Sequence, residues 1–190
     1  MTITGRRLSL DEFLALPEER PSLEYIDGEV TQKVSPSFRH IRLQAGLVSL
    51  VNSFAIPRRL ASAEQELRVT FAERSFVPDV SVFTWDRIPE DEHGEVPYEV
   101  TIAPDIAVEV RSPGQLVRDQ VERCRWYVAN GVRLSIFVNT QARYVRTFRD
   151  GAESEQLRGA DRVDLGDVIP GFSFTVDELF AALRARWPAE

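Results

Sequence analysis

The chain has 190 residues, 43% hydrophobic and 28% charged, the balance of a folded globular protein rather than a disordered one. Its net charge of −7 argues against a surface coated in positive potential for nucleic acid, and its single cysteine, Cys124, excludes an internal disulfide or a cysteine-based zinc site. No apolar run reaches the roughly 20 residues of a membrane helix and the N-terminus lacks a signal-peptide core, so a cytoplasmic protein with no membrane partner is expected.

In chain order, "SLDEFLALP" predicts a short helix, with Ser9 as cap, Glu12 completing a capping box and Pro17 ending it. "LEYIDGEVTQKV" predicts two strands joined at Asp27-Gly28, a dipeptide suited to a tight hairpin. "SPSFRHIRLQAGLVSLVNSFA" has helical apolar spacing behind Ser37 as cap. Strands are expected at about 60–70, 77–84 and 105–111, with an acidic, turn-rich surface loop over 85–103. "GQLVRDQVERCRWYVANGV" predicts a second long helix closed by Asn130-Gly131. "RLSIFVNT" and "ARYVRTFRD" read as a strand pair, and "FTVDELFAAL" as a closing helix with Thr175 as cap and Glu178 in the box. The pattern is α/β, a central mixed sheet flanked by helices plus an N-terminal β-hairpin, in one domain over 1–190.

The chemistry lies where strands carry acids. In "APDIAVEVRSPGQ", alternation puts Ile106, Val108 and Val110 on one face and Ala107, Glu109 and Arg111 on the other. In "SFVPDVSVF", Asp79 shares a face with Val77 and Ser81. Neighbouring strands would bring Asp79 and Glu109 together, and two close carboxylates call for a proton or a hard cation such as Mg2+ between them. Spacing alone equally allows a structural Glu109–Arg111 ion pair and a solvated Asp79.

At these residues the chain resembles the PD-(D/E)XK nuclease superfamily, and within it the Uma-type restriction endonucleases. The matching stretches are "LEYIDGEV", His40 after "SPS", "VPDVSV", "IAVEVRSP", the run from Asp119 through Tyr127 to Gly131-Val132, and "IFVN", together spanning roughly residues 8 to 180. The resemblance implies a restriction-endonuclease-like fold and a Mg2+- or Mn2+-dependent phosphodiesterase acting on nucleic acid, DNA foremost. It makes Asp79 and Glu109 metal ligands and Glu24 a further ligand or water-holder.

Two positions depart from that pattern: Arg123 stands on the second helix where the group usually has lysine, and Asn139 replaces an acid. Arginine cannot accept a proton near neutral pH, but it can neutralise a phosphate through paired donors. Arg123, Arg111 or both are therefore expected in that role, with Lys33, the only lysine, ranked behind them. Loss of catalysis, leaving a nucleic-acid-binding or oligomeric module, is the competing expectation.

His40, with no cysteine or second histidine near it in sequence, is a poor metal-site candidate by composition, and Trp126 and Tyr127 are expected to face the core. Arg58, Arg59, Arg118, Arg125, Arg143, Arg146 and Arg149 offer a basic surface. An apolar face on "RLSIFVNTQARYVRTF" favours a homodimer or higher homo-oligomer.

Overall fold

The computed structural model describes residues 7–186. Its first half runs α1 (Leu10–Leu14), β1 (Leu23–Ile26), β2 (Glu29–Gln32), α2 (Phe38–Ala55), β3 (Ala61–Gln65), β4 (Val69–Phe71), β5 (Arg74–Phe76) and β6 (Val80–Thr84). The second half runs β7 (Ile106–Val110), α3 (Val117–Ala129), β8 (Leu134–Asn139), β9 (Tyr144–Arg149), β10 (Ala152–Glu153), β11 (Arg162–Asp164), β12 (Ser173–Thr175) and α4 (Val176–Ala181).

Every residue of β6, β7 and β8 is buried, which is the signature of strands covered on both faces. They form the middle of a six-stranded mixed sheet in the order β10-β9-β8-β7-β6-β3. Only β7 and β8 run parallel, because α3 carries the chain back across the sheet between them. On one face Val80, Val108, Ile136 and their neighbours pack against Leu43, Leu47 and Val51 of α2 and Leu179 and Phe180 of α4. On the other, Val121 and Cys124 of α3 pack against Phe137, Tyr144 and Phe148. Gly46 permits the close approach of α2 to the end of α4, where an added Cβ would lie 2.6 Å from that of Ala182.

A second, antiparallel sheet in the order β2-β1-β5-β4 sits at one end of the first. Asp27 (φ 52°) and Gly28 (φ 90°) make the expected hairpin turn. The capping boxes at Ser9–Glu12 and Thr175–Glu178 are both present, and Ser37 caps α2.

Two expectations are corrected. The strand expected over 60–70 is broken at Glu66 (φ 50°), so β3 joins the large sheet and β4 the small one. The apolar faces of β8 and β9 are covered within the chain, Val145 by the α2 side and Tyr144 and Phe148 by α3, so they offer no free surface to a second copy. Among the described residues no helix is long and apolar enough to cross a membrane.

Candidate active site

The register of the central sheet decides where the acids meet. Strands β6 and β7 are antiparallel, with Val80 opposite Val108 and Ser81 opposite Ala107. Continuing that register by one residue sets Asp79 across from Glu109, on one face. Asp79 is pinned there by its own backbone and side chain: its N–H donates to Val108 O (3.0 Å), and its Oδ2 accepts from Val110 N–H (2.6 Å). Both acids line a cleft of about 110 Å³, together with Glu24, Lys33, His40 and Arg123. Glu24, Asp79 and Glu109 are each no more than 3% exposed, so their charges must be answered from inside the cleft.

Two cations answer them. Arg123 of α3 makes a fork on Glu24, NH1 to Oε1 (2.9 Å) and NH2 to Oε2 (2.8 Å), and its NH1 lies 3.6 Å from Glu109 Oε1. Glu24 Oε1 also accepts from Val77 N–H (3.0 Å), so the Glu24 carboxylate is occupied as an anchor for Arg123 and for the segment that leaves β5. Lys33, just beyond β2, reaches the other acid: its Nζ donates to Asp79 Oδ1 (2.9 Å), Val77 O (2.7 Å) and Glu66 Oε2 (3.1 Å). Burial pulls the lysine pKa down, but the charges of Asp79, Glu109 and Glu66 outweigh it and hold the ammonium above its ordinary value. Burial likewise pushes Asp79 up, and the His40 ring and the Lys33 charge beside it outweigh that and keep its carboxyl below the usual range.

Glu109 is different. Its Oε1 accepts from the buried Tyr127 hydroxyl (2.7 Å), and burial lifts its pKa to about 7, with Asp79 and Glu24 adding to the rise against the pull of Arg123 and Lys33. Tyr127 is in the core as expected, with its hydroxyl as a polar handle on the site.

Around Asp79 stand three further residues. His40, 5% exposed on the first turn of α2, has Nδ1 3.0 Å from Ser112 Oγ and Nε2 3.2 Å from Asp79 Oδ1, the contact through which the ring favours the Asp79 carboxylate. Buried Gln44, one turn further along α2, donates Nε2–H to Glu66 Oε1 (2.6 Å) and to Asp79 O (3.2 Å). Glu66 sits at the break between β3 and β4.

Arg111 is not brought to the cleft. Its Nε donates to Gln115 O (2.9 Å) and its NH1 to Gln141 Oε1 (2.8 Å), which buttresses the loops after β7 and β8. The Glu109–Arg111 ion pair allowed by spacing is absent among the described residues; the partner of Glu109 is Arg123. Asn139 Oδ1 accepts from Gln141 and Ala142 N–H, which closes the β8–β9 turn. Much of the expected basic surface is engaged internally: Arg125 and Arg146 bind Glu153, and Arg149 binds Asp167.

Sequence reasoning ranked Lys33 low and passed over Glu66, Gln44 and Ser112 as parts of this site. Lys33 did carry a signal, as the only lysine among 23 basic residues. Glu66 and Gln44 carried none, since an acid in a turn and an amide on a helix are ordinary.

The geometry defines a class: buried carboxylates answered by cations, at the end of a mixed sheet flanked by helices. Comparison with known proteins gives the same class. A crystal structure of a "putative nuclease" of the DUF820 group from Anabaena variabilis matches with TM-score 0.88 and 35% identity, over 93% of this chain and 99% of the other. The fold is therefore a nuclease fold. A cryo-EM structure of a DrdV–DNA complex aligns only loosely, with TM-score 0.36 and 13% identity over 79% of this chain and 14% of that one. No match was found among curated proteins. The family model described as "Uma2: Putative restriction endonuclease" matches residues 10–177, and the chain belongs to that family.

Proposed function

We propose that the cleft hydrolyses phosphodiester bonds of DNA as a PD-(D/E)XK-type endonuclease, with Mg2+ or Mn2+ held by Asp79 and Glu109. The observation that carries this reading is the meeting of these two buried acids in one cleft with Arg123 beside them. The donor set fits a hard divalent ion. Four carboxylates (Glu24, Glu66, Asp79, Glu109) face two fixed cations (Lys33, Arg123), so the cleft is short of positive charge. Among the described residues, Glu109 Oε2 accepts no hydrogen bond, and the high pKa of this side chain marks a group in need of a cation.

When bound, the ion would activate water and offset charge on the phosphate under attack. The protein's own residues do the rest. Asp79 is held rigid by Val110 N–H, and Glu109 is aimed by Tyr127. Arg123 has donors beyond the two given to Glu24, so it can neutralise a phosphate oxygen; Glu24 positions it and is not itself assigned to the metal. Of the two arginines expected in that role, Arg123 lines the cleft and is the one assigned to it. The test is cleavage of single- and double-stranded DNA with Mg2+ and Mn2+, in parallel with Asp79→Ala. Activity in the parent that falls at least about 100-fold in Asp79→Ala supports the assignment, and cleavage that persists in the variant refutes it.

One observation favours a second reading, a nuclease-fold protein without catalysis that binds nucleic acid. Asp79 and Glu24 are already paired with the chain's own cations, as they would be in a site that no longer takes metal. Metal titration separates the two, since only an intact site gains stability with occupancy.

A further inference from the structure

Behind Lys33 lies a second cavity, of about 350 Å³ against about 110 Å³ for the cleft. The two share a wall. Glu66 lines the cavity and gives Oε2 to the Lys33 ammonium (3.1 Å); Val77 lines it too, and its carbonyl accepts from the same ammonium (2.7 Å). A carboxylate oxygen of Glu66 lies within 4.8 Å of one on Asp79, so a group in the cavity sits about one or two nucleotides along a strand from a phosphate at Asp79. The cleft has room for a phosphate group and water, while the cavity reaches the roughly 300 Å³ at which small-molecule pockets begin.

The lining suits a flat ring. Phe13 and Leu23 are buried in its wall, and the Arg68 guanidinium is carried over the Phe13 ring, 5.2 Å from the centroid, by a hydrogen bond to Leu23 O (2.9 Å). Guanidinium planes and aromatic rings are the surfaces on which unpaired bases stack. At the rim stands Tyr98, wholly exposed. A cavity kept for packing alone would have drawn in that ring. Charge narrows the occupant further. Glu18, Glu66 and Glu99 line the cavity, and Arg68 is the one cation that does so among the described residues. A phosphate or carboxylate is repelled there, whereas a neutral ring bearing amino groups can donate to the acids.

We propose that this cavity receives one unpaired nucleobase of the substrate strand, stacked between Arg68 and Tyr98. The favoured substrate is then single-stranded DNA, or a strand with one base turned out of its duplex. This assignment rests on the nuclease reading of the cleft. A paired base offers no free face and must give up stacking and pairing before it can enter. Adenine, cytosine and guanine carry an exocyclic amino group for Glu18 or Glu99 to accept, and thymine lacks one.

The experiment reads binding apart from cleavage. A short DNA strand with one 2-aminopurine is titrated in EDTA, single-stranded and as a duplex, against the intact chain, Tyr98→Ala and Tyr98→Phe. The intact chain should change the 2-aminopurine fluorescence and hold the single strand at least about tenfold tighter than the duplex. Tyr98→Ala should weaken single-strand binding at least about fivefold, and Tyr98→Phe should restore it. Replacing the aminopurine by thymine or by an abasic site should cost affinity in the intact chain. Both Tyr98 variants change a fully exposed side chain, so folding is not at risk. Equal affinity for single strand and duplex, or no effect of Tyr98→Ala, overturns the cavity assignment. Cleavage assays in Mn2+ keep the two readings apart. Cutting that ignores both Tyr98 and the abasic site leaves the cleft a nuclease and the cavity without a base. Base-dependent binding with no cutting keeps the cavity's role and refutes the nuclease reading.

Discussion

Asp105 and Glu109 stand at the two ends of β7, four residues apart, and both are sealed from solvent at 0% and 3% exposure. Their surroundings are opposite. Asp105 Oδ2 accepts from Thr84 N–H (2.8 Å) and Thr84 Oγ1 (3.0 Å), while Oδ1 takes Arg87 (2.7 Å) and Arg133 (3.4 Å). Burial pushes its pKa up, but these donors outweigh it and hold the carboxyl below its usual range. Glu109 has one directed hydrogen bond and a cation at 3.6 Å, and its pKa stands near neutrality, at about 7. One acid is saturated by donors and ties β6, β7 and β8 together. The other keeps an oxygen free at the cost of a poorly stabilised charge, as a ligand must.

Deleting each charge in turn should cost the fold very different amounts. Asp105→Ala strips Thr84 of two acceptor contacts and leaves two guanidinium groups without their partner, so urea unfolding at pH 8 should show a loss of about 2–4 kcal/mol. Glu109→Gln keeps the shape and removes a charge that burial disfavours, so stability should stay level or rise by about 1 kcal/mol. Equal losses in the two variants would mean that Glu109 is as structural as Asp105, and the contrast would fail.

The next effect is the response to metal. Saturating Mn2+, at about 100 times its dissociation constant, should raise the parent's unfolding free energy by about 2.7 kcal/mol. Asp105→Asn, folded but weakened, should gain as much, while Glu109→Gln should lose most of the gain in Mg2+. Differential scanning with EDTA controls measures it. An undiminished Mg2+ response in Glu109→Gln would remove this residue from the metal.

How far these two acids could be told apart in the sequence depends on what each one meets. Glu109 stood out because strand alternation places it on a face with Ala107, and the same logic placed Asp79. Helix ends were legible wherever a side chain makes the cap, at Ser9, Ser37 and Thr175. The structural status of Asp105 was not legible, because Arg87 lies in the loop before it and Arg133 beyond a whole helix. The β4–β5 hairpin was missed for a local reason. Its turn residues Ala72 (φ 47°) and Glu73 (φ 60°) take positive φ without the glycine or asparagine that announces such a turn. Glu66 hides the break after β3 in the same way. Lys33 reaches Asp79 only because the small sheet folds over the end of the large one, a long-range event with no periodicity to read.

The smallest effect gives the most direct reading of Glu109, through pH. Its folded pKa of about 7 lies above the ordinary glutamate value of 4.5, so the folded chain binds this proton more tightly than the unfolded chain. Stability from this group is complete below pH 4.5, declines as pH rises to about 7 and is level beyond. Asp79 acts in the other direction and lower down, since its depressed pKa costs stability only as pH falls below its ordinary value of 3.8. The two windows do not overlap. In EDTA, the stability of Glu109→Gln relative to the parent should therefore grow between about pH 5 and 7, by on the order of 1–2 kcal/mol, and then stay constant. Mn2+ or Mg2+ on the parent's Glu109 stabilises the ionised carboxylate and should erase that growth. A difference between parent and variant that is flat across this range would show that the buried glutamate is ionised throughout, and Glu109 would then belong with Asp105 as a saturated structural acid.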